Sequence, residues 1–224
     1  MEGSLASKFS AIQSRIGAAA GQAPTALIAV SKLQPASAMR ELHALGQVAF
    51  GENYVQEALA KMAELTDCAI EWHLIGPLQS NKCREVAEHF DWLQTLDRAK
   101  LIPLLGRHRP TARAPLNVLI QVKIDDEESK SGVAPDQLAA LATAVSAEPA
   151  LRLRGLMSIP TPWPTPDQRR ASFRRLRGLF EQLRVVHPQI DTLSMGMSED
   201  FELALQEGAT MVRVGSALFG ARPA

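Results

Sequence analysis

The sequence predicts an α/β fold: a single (β/α)8 TIM barrel with an extra N-terminal helix. Three observations indicate this class. The chain has 224 residues, short apolar runs recur along it, and amphipathic helical patterns separate successive runs. Strands that alternate with helices pair in parallel through right-handed crossovers. Eight such units fit the roughly 200 residues of the smallest barrels. A doubly wound open sheet is the alternative.

The predicted elements follow one another without a linker. The first is a helix whose apolar positions repeat with the 3.6-residue period of one face, namely Leu5, Phe9, Ile12 and Ile16. Eight strands then begin near Ala26, Val48, Ile70, Trp92, Asn117, Leu153, Thr192 and Met211. Because no segment divides this pattern, we expect residues 1–224 to form one barrel domain.

The composition excludes several classes of protein. The 24 Lys and Arg residues balance 24 Asp and Glu residues, which argues against a protein that binds nucleic acid or a membrane surface. Two cysteines, Cys68 and Cys83, are too few for a disulfide framework, and no histidine or cysteine spacing indicates a metal site. A reducing compartment and the lack of a signal-peptide pattern predict a cytoplasmic protein without a membrane segment.

Lys32 is the most informative residue at a predicted strand end. Barrel enzymes place their functional groups at the C-terminal ends of the strands. Lys32 directly follows the apolar run Ala26–Val30, so we expect its amine to emerge from the dry interior. Burial disfavours the ammonium form, and the neutral amine attacks carbonyl groups. The alternative is a lysine whose amine extends into water.

The loops after the seventh and eighth predicted strands favour a phosphate site. They contain the segments Ser194–Ser198 and Gly215–Ser216, and many barrels bind phosphate there through backbone N–H groups. Ser198 is a natural helix N-cap. Glu199 and Asp200, in the predicted first turn, suit the helix dipole but would repel a phosphate unless they point away. With the predicted amine, this pattern indicates a phosphorylated aldehyde as the ligand.

Four further features each leave two interpretations open. An inward Arg213 would meet a cofactor ring, where its charge would keep a pyridine nitrogen unprotonated, whereas an outward one would pair with a helix carboxylate. Asn53 either contacts a ligand or caps a helix. His73 is expected to be a core histidine rather than a ligand. The loop Pro160–Pro166 is either a stiff surface connection or a wall of the mouth with Trp163 facing a ligand.

At this point the sequence resembles a known family, the pyridoxal phosphate homeostasis proteins (the YggS/PROSC group). The resemblance rests on six short segments in family order, and the last of them continues through Phe219-Gly220. They are Ala29–Lys32, Phe50–Glu57, Trp72–Lys82, Gly155–Pro160, Ser194–Ser198 and Met211–Ser216. The segments extend over nearly the whole chain, which makes the match specific.

The resemblance implies a barrel similar to the N-terminal domain of alanine racemase, without that enzyme's β-domain. It also implies pyridoxal 5'-phosphate (PLP) as the cofactor, held as a Schiff base on Lys32. The other cofactor-binding residues that it implies are Asn53 beside the ring, Arg213 near the pyridine nitrogen, and Ser194, Gly215 and Ser216 at the phosphate. No catalytic residue and no metal ligand is expected.

The resemblance favours a non-enzymatic role in vitamin B6 homeostasis, as a carrier or buffer of PLP. A racemase of the alanine type needs a second base, and Tyr54 is the only tyrosine in the chain. The alternatives are a weak PLP-dependent amino-acid racemase and an enzyme that acts on another phosphorylated metabolite. The expected partners are PLP and apo forms of PLP enzymes as recipients, and the expected state is a monomer.

Overall fold

Eight parallel strands form a closed barrel in chain order. The structure, a computed structural model, describes residues 4–21, 24–125 and 131–220. The barrel closes where β8 pairs with β1, with Ala26 opposite Met211. The strands are β1 (Ala26–Val30), β2 (Ala49–Glu52), β3 (Glu71–Leu74), β4 (Trp92–Leu96), β5 (Leu116–Gln121), β6 (Leu151–Met157), β7 (Thr192–Ser194) and β8 (Met211–Val214).

An α-helix follows every strand, and one more precedes the first strand. The helices are α1 (Leu5–Ala20), α2 (Ala36–Ala44), α3 (Val55–Glu64), α4 (Cys83–His89), α5 (Ile102–His108), α6 (Leu138–Ser146), α7 (Pro166–Val186), α8 (Phe201–Gln206) and α9 (Ser216–Phe219). The predicted (β/α)8 barrel with an extra N-terminal helix is therefore confirmed, and the open sheet is not formed. The largest error in a predicted strand start is at β6, which begins at Leu151 rather than Leu153.

Two apolar cores hold the barrel together. A small inner cluster fills the barrel with side chains from five strands, Ile28, Trp92, Leu119, Met157 and Met211. A larger outer cluster lies between the strands and the helices and includes Val212 and Val214. Because successive side chains of a strand alternate between faces, Arg213 points into the barrel, two positions after Met211.

Helix α1 covers one side of the barrel. Its predicted apolar stripe is buried at Phe9, Ile12 and Ile16, and the helix packs against α8 and α9. Arg15 reinforces this contact, because its Nε atom donates to Glu202 at 2.6 Å. Among the described residues, no helix has the length and apolar character that a membrane span requires.

One helix begins later than its cap pattern predicts. Ser198 was expected to cap the helix after β7, with Glu199 and Asp200 in its first turn. Instead, α8 begins at Phe201 and Asp200 is its N-cap residue. The segment from Met195 to Asp200 is therefore loop, and this loop brings Ser198 to the C-terminal end of the barrel.

Candidate functional site

A cavity of about 270 Å³ opens at the C-terminal ends of the strands. Five of the six predicted site residues line it, namely Lys32, Asn53, Arg213, Gly215 and Ser216. Ser194, the sixth, does not reach the cavity wall. The cavity is therefore where barrels of this type place their ligands, and the structure brings residues from β1, β2 and β8 together there.

The half-buried Lys32 lies in a tightly held turn after β1. Its neighbours on both sides are fixed by carboxylates: Ser31 Oγ donates to Glu52 Oε1 at 2.7 Å, and Leu33 N donates to Glu57 Oε1 at 2.5 Å. Leu33 has φ of 62°, a left-handed conformation that a bulky residue rarely adopts. The backbone on each side of Lys32 is thus fixed by contacts that do not involve its own side chain.

A buried lysine completes this support. Lys61, on α3, is only 6% exposed, and its Nζ atom donates to Ser31 O at 2.7 Å, Glu52 Oε1 at 2.8 Å and Glu57 Oε1 at 2.6 Å. Burial raises the pKa of the Glu52 carboxyl. We call Ser31, Glu52, Glu57 and Lys61 the Lys61 cluster. Sequence reasoning missed it, although the i,i+4 spacing of Glu57 and Lys61 was a signal for one of its pairs.

Arg213 forms the floor of the cavity. Its guanidinium is buried, Nη1 donates to Ser194 Oγ at 2.6 Å, and Nη2 donates to Ser158 O at 2.8 Å. Burial lowers the pKa of Arg213 to about 10, so the side chain is still a cation at neutral pH. Of the two predicted orientations, the structure has the inward one.

The two serines of the Ser194–Ser198 segment have different positions. Ser194 is fully buried, and its hydroxyl donates to Gln94 Oε1 at 2.8 Å while it accepts from Arg213. Ser198 lines the cavity, and its Oγ atom accepts from Gly215 N at 3.3 Å. Of these two serines, Ser198 is therefore the one that lies beside Gly215. The sequence predicted Ser198 both as part of the phosphate segment and as a helix N-cap.

The end of the cavity near Gly215 is shaped for a close backbone approach. A Cβ atom on Gly215 would lie 3.2 Å from Val30 Cβ and 3.3 Å from Val30 O, so a larger residue there would crowd β1. Asp200 also lines the cavity, and its Oδ1 atom accepts from Met197 N at 2.8 Å. Burial raises the pKa of this carboxyl. An ionised Asp200 carboxylate would repel an anion bound beside it, which is the conflict that the sequence predicted for this segment.

Asn53 lines the cavity rather than capping a helix. Helix α3 has Tyr54 as its N-cap residue, without a side-chain cap hydrogen bond. Asn53 is held in place by a close backbone contact, since a Cβ atom on Gly76 would lie only 2.1 Å from Asn53 O. His73 is a fully buried core residue, as expected, and its Nε2 atom lies 2.8 Å from Glu71 Oε1.

The proline-rich loop forms one wall of the mouth. Pro160 and Pro162 line the cavity, which agrees with the second interpretation of this loop. Trp163 instead turns towards α7, where its Nε1 atom donates to Ser172 Oγ at 3.2 Å. Its carbonyl accepts from Arg169 Nε at 2.6 Å, and Arg169 also lines the cavity. The loop is thus anchored to α7 on its outer side.

Comparison with known proteins agrees with the barrel fold. The family model described as alanine racemase, N-terminal domain, matches residues 7–223, which defines the class of barrel. A pyridoxal phosphate homeostasis protein of Haemophilus influenzae is 56% identical over 88% of this chain and 84% of its own length. A protein of the same name from Escherichia coli K12 is 49% identical over 97% of both.

A solved structure extends the comparison to the fold. PipY of Synechococcus elongatus PCC7942, with PLP bound, superposes with a TM-score of 0.87 at 40% identity, over 97% of this chain and 100% of that one. The chain therefore belongs to the pyridoxal phosphate homeostasis protein family.

Proposed function

We propose that this protein binds PLP at the cavity and acts in intracellular vitamin B6 homeostasis as a carrier or buffer of the cofactor. The observation on which the proposal depends is that one cavity of about 270 Å³ combines an amine, an inward guanidinium and a glycine-lined anion end. The names of the relatives and the PLP in the PipY structure support the same ligand. In this proposal, residues 1–224 act as one cofactor-binding domain.

The residues present fit PLP in chemical type. The cofactor supplies an aldehyde carbon that reacts with an amine. Lys32 supplies the amine, and the Lys61 cluster fixes the backbone on both of its sides. Arg213 supplies a cation on the cavity floor, which would face the pyridine nitrogen, keep it unprotonated and weaken the ring as an electron sink. Asn53 would lie beside the ring.

The phosphate would lie between the loops after β7 and β8. We assign it to Ser198, Gly215 and Ser216, all of which line the cavity. Ser194, which the resemblance implied as a phosphate ligand, is assigned instead to the support of Arg213, because its hydroxyl proton is already donated to Gln94 and its oxygen accepts from Arg213. Among the described residues, Ser198 Oγ only accepts, from Gly215 N and Ala217 N, so its hydroxyl proton can be donated to a phosphate.

We further propose that the protein has no fast turnover. Racemisation needs a second positioned acid–base group within hydrogen-bond reach of the substrate. Tyr54 is the only tyrosine of the chain, it is 56% exposed, and it does not line the cavity. The weak racemase is the alternative, and it predicts that purified protein with PLP converts L-alanine to D-alanine slowly. Conversion at ordinary enzymatic rates would refute the carrier proposal.

The cellular setting is part of the proposal. Neither Cys68 nor Cys83 is paired, and free thiols are typical of a reducing compartment, which favours the cytoplasm. We propose that the protein is a monomer and that apo forms of PLP enzymes receive the cofactor from it. Light scattering and a cofactor-transfer assay with an apo enzyme test these two points.

Titration with PLP, followed by absorption spectroscopy, tests the function. The protein should turn yellow and develop a visible imine band. Lys32→Ala should abolish that band and keep its far-UV circular dichroism. The control is Lys82→Ala, because Lys82 lies at the start of α4, outside the cavity, and pairs with Glu85. A colourless wild-type protein at saturating PLP would refute the proposal and favour an enzyme for another phosphorylated metabolite.

A further inference from the structure

A continuous series of hydrogen bonds crosses the barrel interior and ends at Arg213. Glu71 Oε1 lies 2.8 Å from His73 Nε2, and His73 Nδ1 lies 3.0 Å from Gln94 Nε2. Gln94 Oε1 accepts from Ser194 Oγ at 2.8 Å, and Ser194 Oγ accepts from Arg213 Nη1 at 2.6 Å. We call these five residues the core network. It connects side chains from β3, β4, β7 and β8.

The chemistry of its two ends fixes the direction of every hydrogen bond. A guanidinium only donates and a carboxylate only accepts. Ser194 must therefore donate onward to the Gln94 carbonyl, which directs the Gln94 amide nitrogen to His73 Nδ1. His73 is then the tautomer with its proton on Nε2, donated to Glu71. The amide of Gln94 orients neighbours but does not pass a proton along, so the network positions groups rather than conducting protons.

Burial makes the network sensitive to the loss of any one member. His73, Gln94 and Ser194 are fully buried, and His73 stacks on Trp92 with ring centroids 5.2 Å apart. Burial lowers the pKa of His73, which keeps the ring neutral, as the tautomer requires. A buried donor or acceptor that loses its partner keeps the full cost of its removal from water. Such groups therefore keep their partners and hold one arrangement.

We propose that Glu71, His73, Gln94 and Ser194 are positioning residues that hold the Arg213 guanidinium in its PLP-binding orientation. The expected effect on PLP affinity rests on the proposed function. The restraint of the Arg213 guanidinium does not, because it concerns the orientation of that side chain alone. Two hydrogen bonds to the interior, to Ser194 Oγ and Ser158 O, restrain the guanidinium, and the first of them depends on the rest of the network.

Nitrogen NMR of the cofactor-free protein tests, without PLP, whether the Arg213 guanidinium is held in one orientation. Restrained rotation about the Nε–Cζ bond should give Arg213 separate signals for its two terminal amino groups. Ser194→Ala should merge these signals, and Ser194→Thr, which keeps the hydroxyl, should preserve them. Merged signals in the wild-type protein, or separate signals that survive in Ser194→Ala, would overturn the inference whatever the result for PLP.

A double-mutant cycle tests the consequence for PLP affinity. Gln94→Met keeps the approximate side-chain volume and removes the hydrogen bonds of Gln94 to His73, Ser194 and Met211, so it should weaken PLP binding about tenfold. In an Arg213→Ala background the same change should alter the affinity less than about twofold, because its effect acts through the guanidinium. Gln121→Met is the matched control, since Gln121 is also buried but bonds to Ser131 O. It should leave the affinity unchanged.

The outcomes separate the two proposals. An equal loss of affinity from Gln94→Met in both backgrounds, or an equal loss from Gln121→Met, would reduce the network to a stabilising role and refute the inference. Absence of PLP binding by the wild-type protein would refute the proposed function and leave the NMR result to decide the positioning of Arg213. If Gln94→Met fails to fold, the Ser194→Ala and Ser194→Thr pair provides the same cycle.

Discussion

Replacement of Lys61 by methionine should destabilise this protein severely. The ammonium makes three hydrogen bonds of 2.6–2.8 Å, two of them to carboxylates. The side chains of Lys61 and Glu52 are 7% and 0% exposed, respectively. Removal of one partner of such a buried pair leaves the other charge uncompensated and costs about 3–5 kcal/mol. We therefore expect Lys61→Met to lower the free energy of unfolding in urea by about that amount.

The loss should also depend on pH. Burial already raises the pKa of Glu52, and loss of the ammonium raises it further. A carboxyl with a raised pKa in the folded state contributes its full stability below its unfolded pKa and loses this contribution as the pH rises through the folded value. The deficit of Lys61→Met should therefore be smaller at about pH 5 than at about pH 8.

A second lysine provides the control for this experiment. Lys82 pairs with Glu85 at 3.3 Å, and both side chains are more than a quarter exposed. Exposed pairs contribute about 0–1 kcal/mol, so Lys82→Met should lose no more than that. Equal losses in the two variants, or a Lys61→Met deficit that shrinks as the pH rises, would show that the Lys61 ammonium does not compensate a buried negative charge.

Two further predictions concern a strained glycine and the anion end of the cavity. Gly155→Ala should lower the free energy of unfolding by about 1–3 kcal/mol or more. The reason is that Gly155 has φ of 149° and a Cβ atom there would lie 1.9 Å from Thr192 O. Gly178→Ala lies in α7, where the new Cβ atom meets no described atom within 4 Å apart from its chain neighbours and the backbone of its own helix. This substitution should instead raise the free energy of unfolding by about 0.5–1 kcal/mol. Thermal unfolding measures the stability of both glycine variants, and a Gly155→Ala protein as stable as the wild type would contradict the first prediction. Ser198→Ala should weaken binding of PLP and of inorganic phosphate about 2–10-fold, whereas Ser198→Thr should not. Unchanged phosphate competition in Ser198→Ala would remove that residue from the site.

The barrel itself was accessible from the sequence. Apolar runs such as Ala26–Val30 identify strands buried on both faces, and all eight lie in the predicted order. Lys32 followed as a residue at a strand end, and the alternation of side chains along β8 placed Arg213 opposite to Val212 and Val214 but left open which side faces inward. These predictions depend only on the local spacing of apolar residues, which can be read directly from the sequence.

The proposed assignment of the phosphate to Ser198 rather than Ser194 was not accessible in the same way. Strand β7 contains only three residues, Thr192–Ser194, and a shift of one residue in a strand exchanges its two faces. The last residue of so short a strand therefore has no predictable direction. The loop after it has no period, so nothing in the sequence placed Ser198 against Gly215.

The polar interior was hidden for a different reason. Gln94 and Ser194 are 100 positions apart, and Lys61 and Ser31 are 30 apart, so only closure of the barrel brings them together. A polar residue in a strand also looks the same whether it faces solvent or a buried partner. Contacts of this kind depend on tertiary structure, and the spacing of residues along the chain does not tell which distant residues meet.

Borohydride reduction followed by peptide mass spectrometry tests the central claim most directly. The protein is saturated with PLP, and borohydride reduces any imine to a stable secondary amine. The protein is then digested, and mass spectrometry identifies the modified peptide. We expect one phosphopyridoxyl group per chain, attached to Lys32. A label on Lys61, Lys82 or Lys123 with Lys32 unmodified would contradict the assignment of the amine that holds the cofactor.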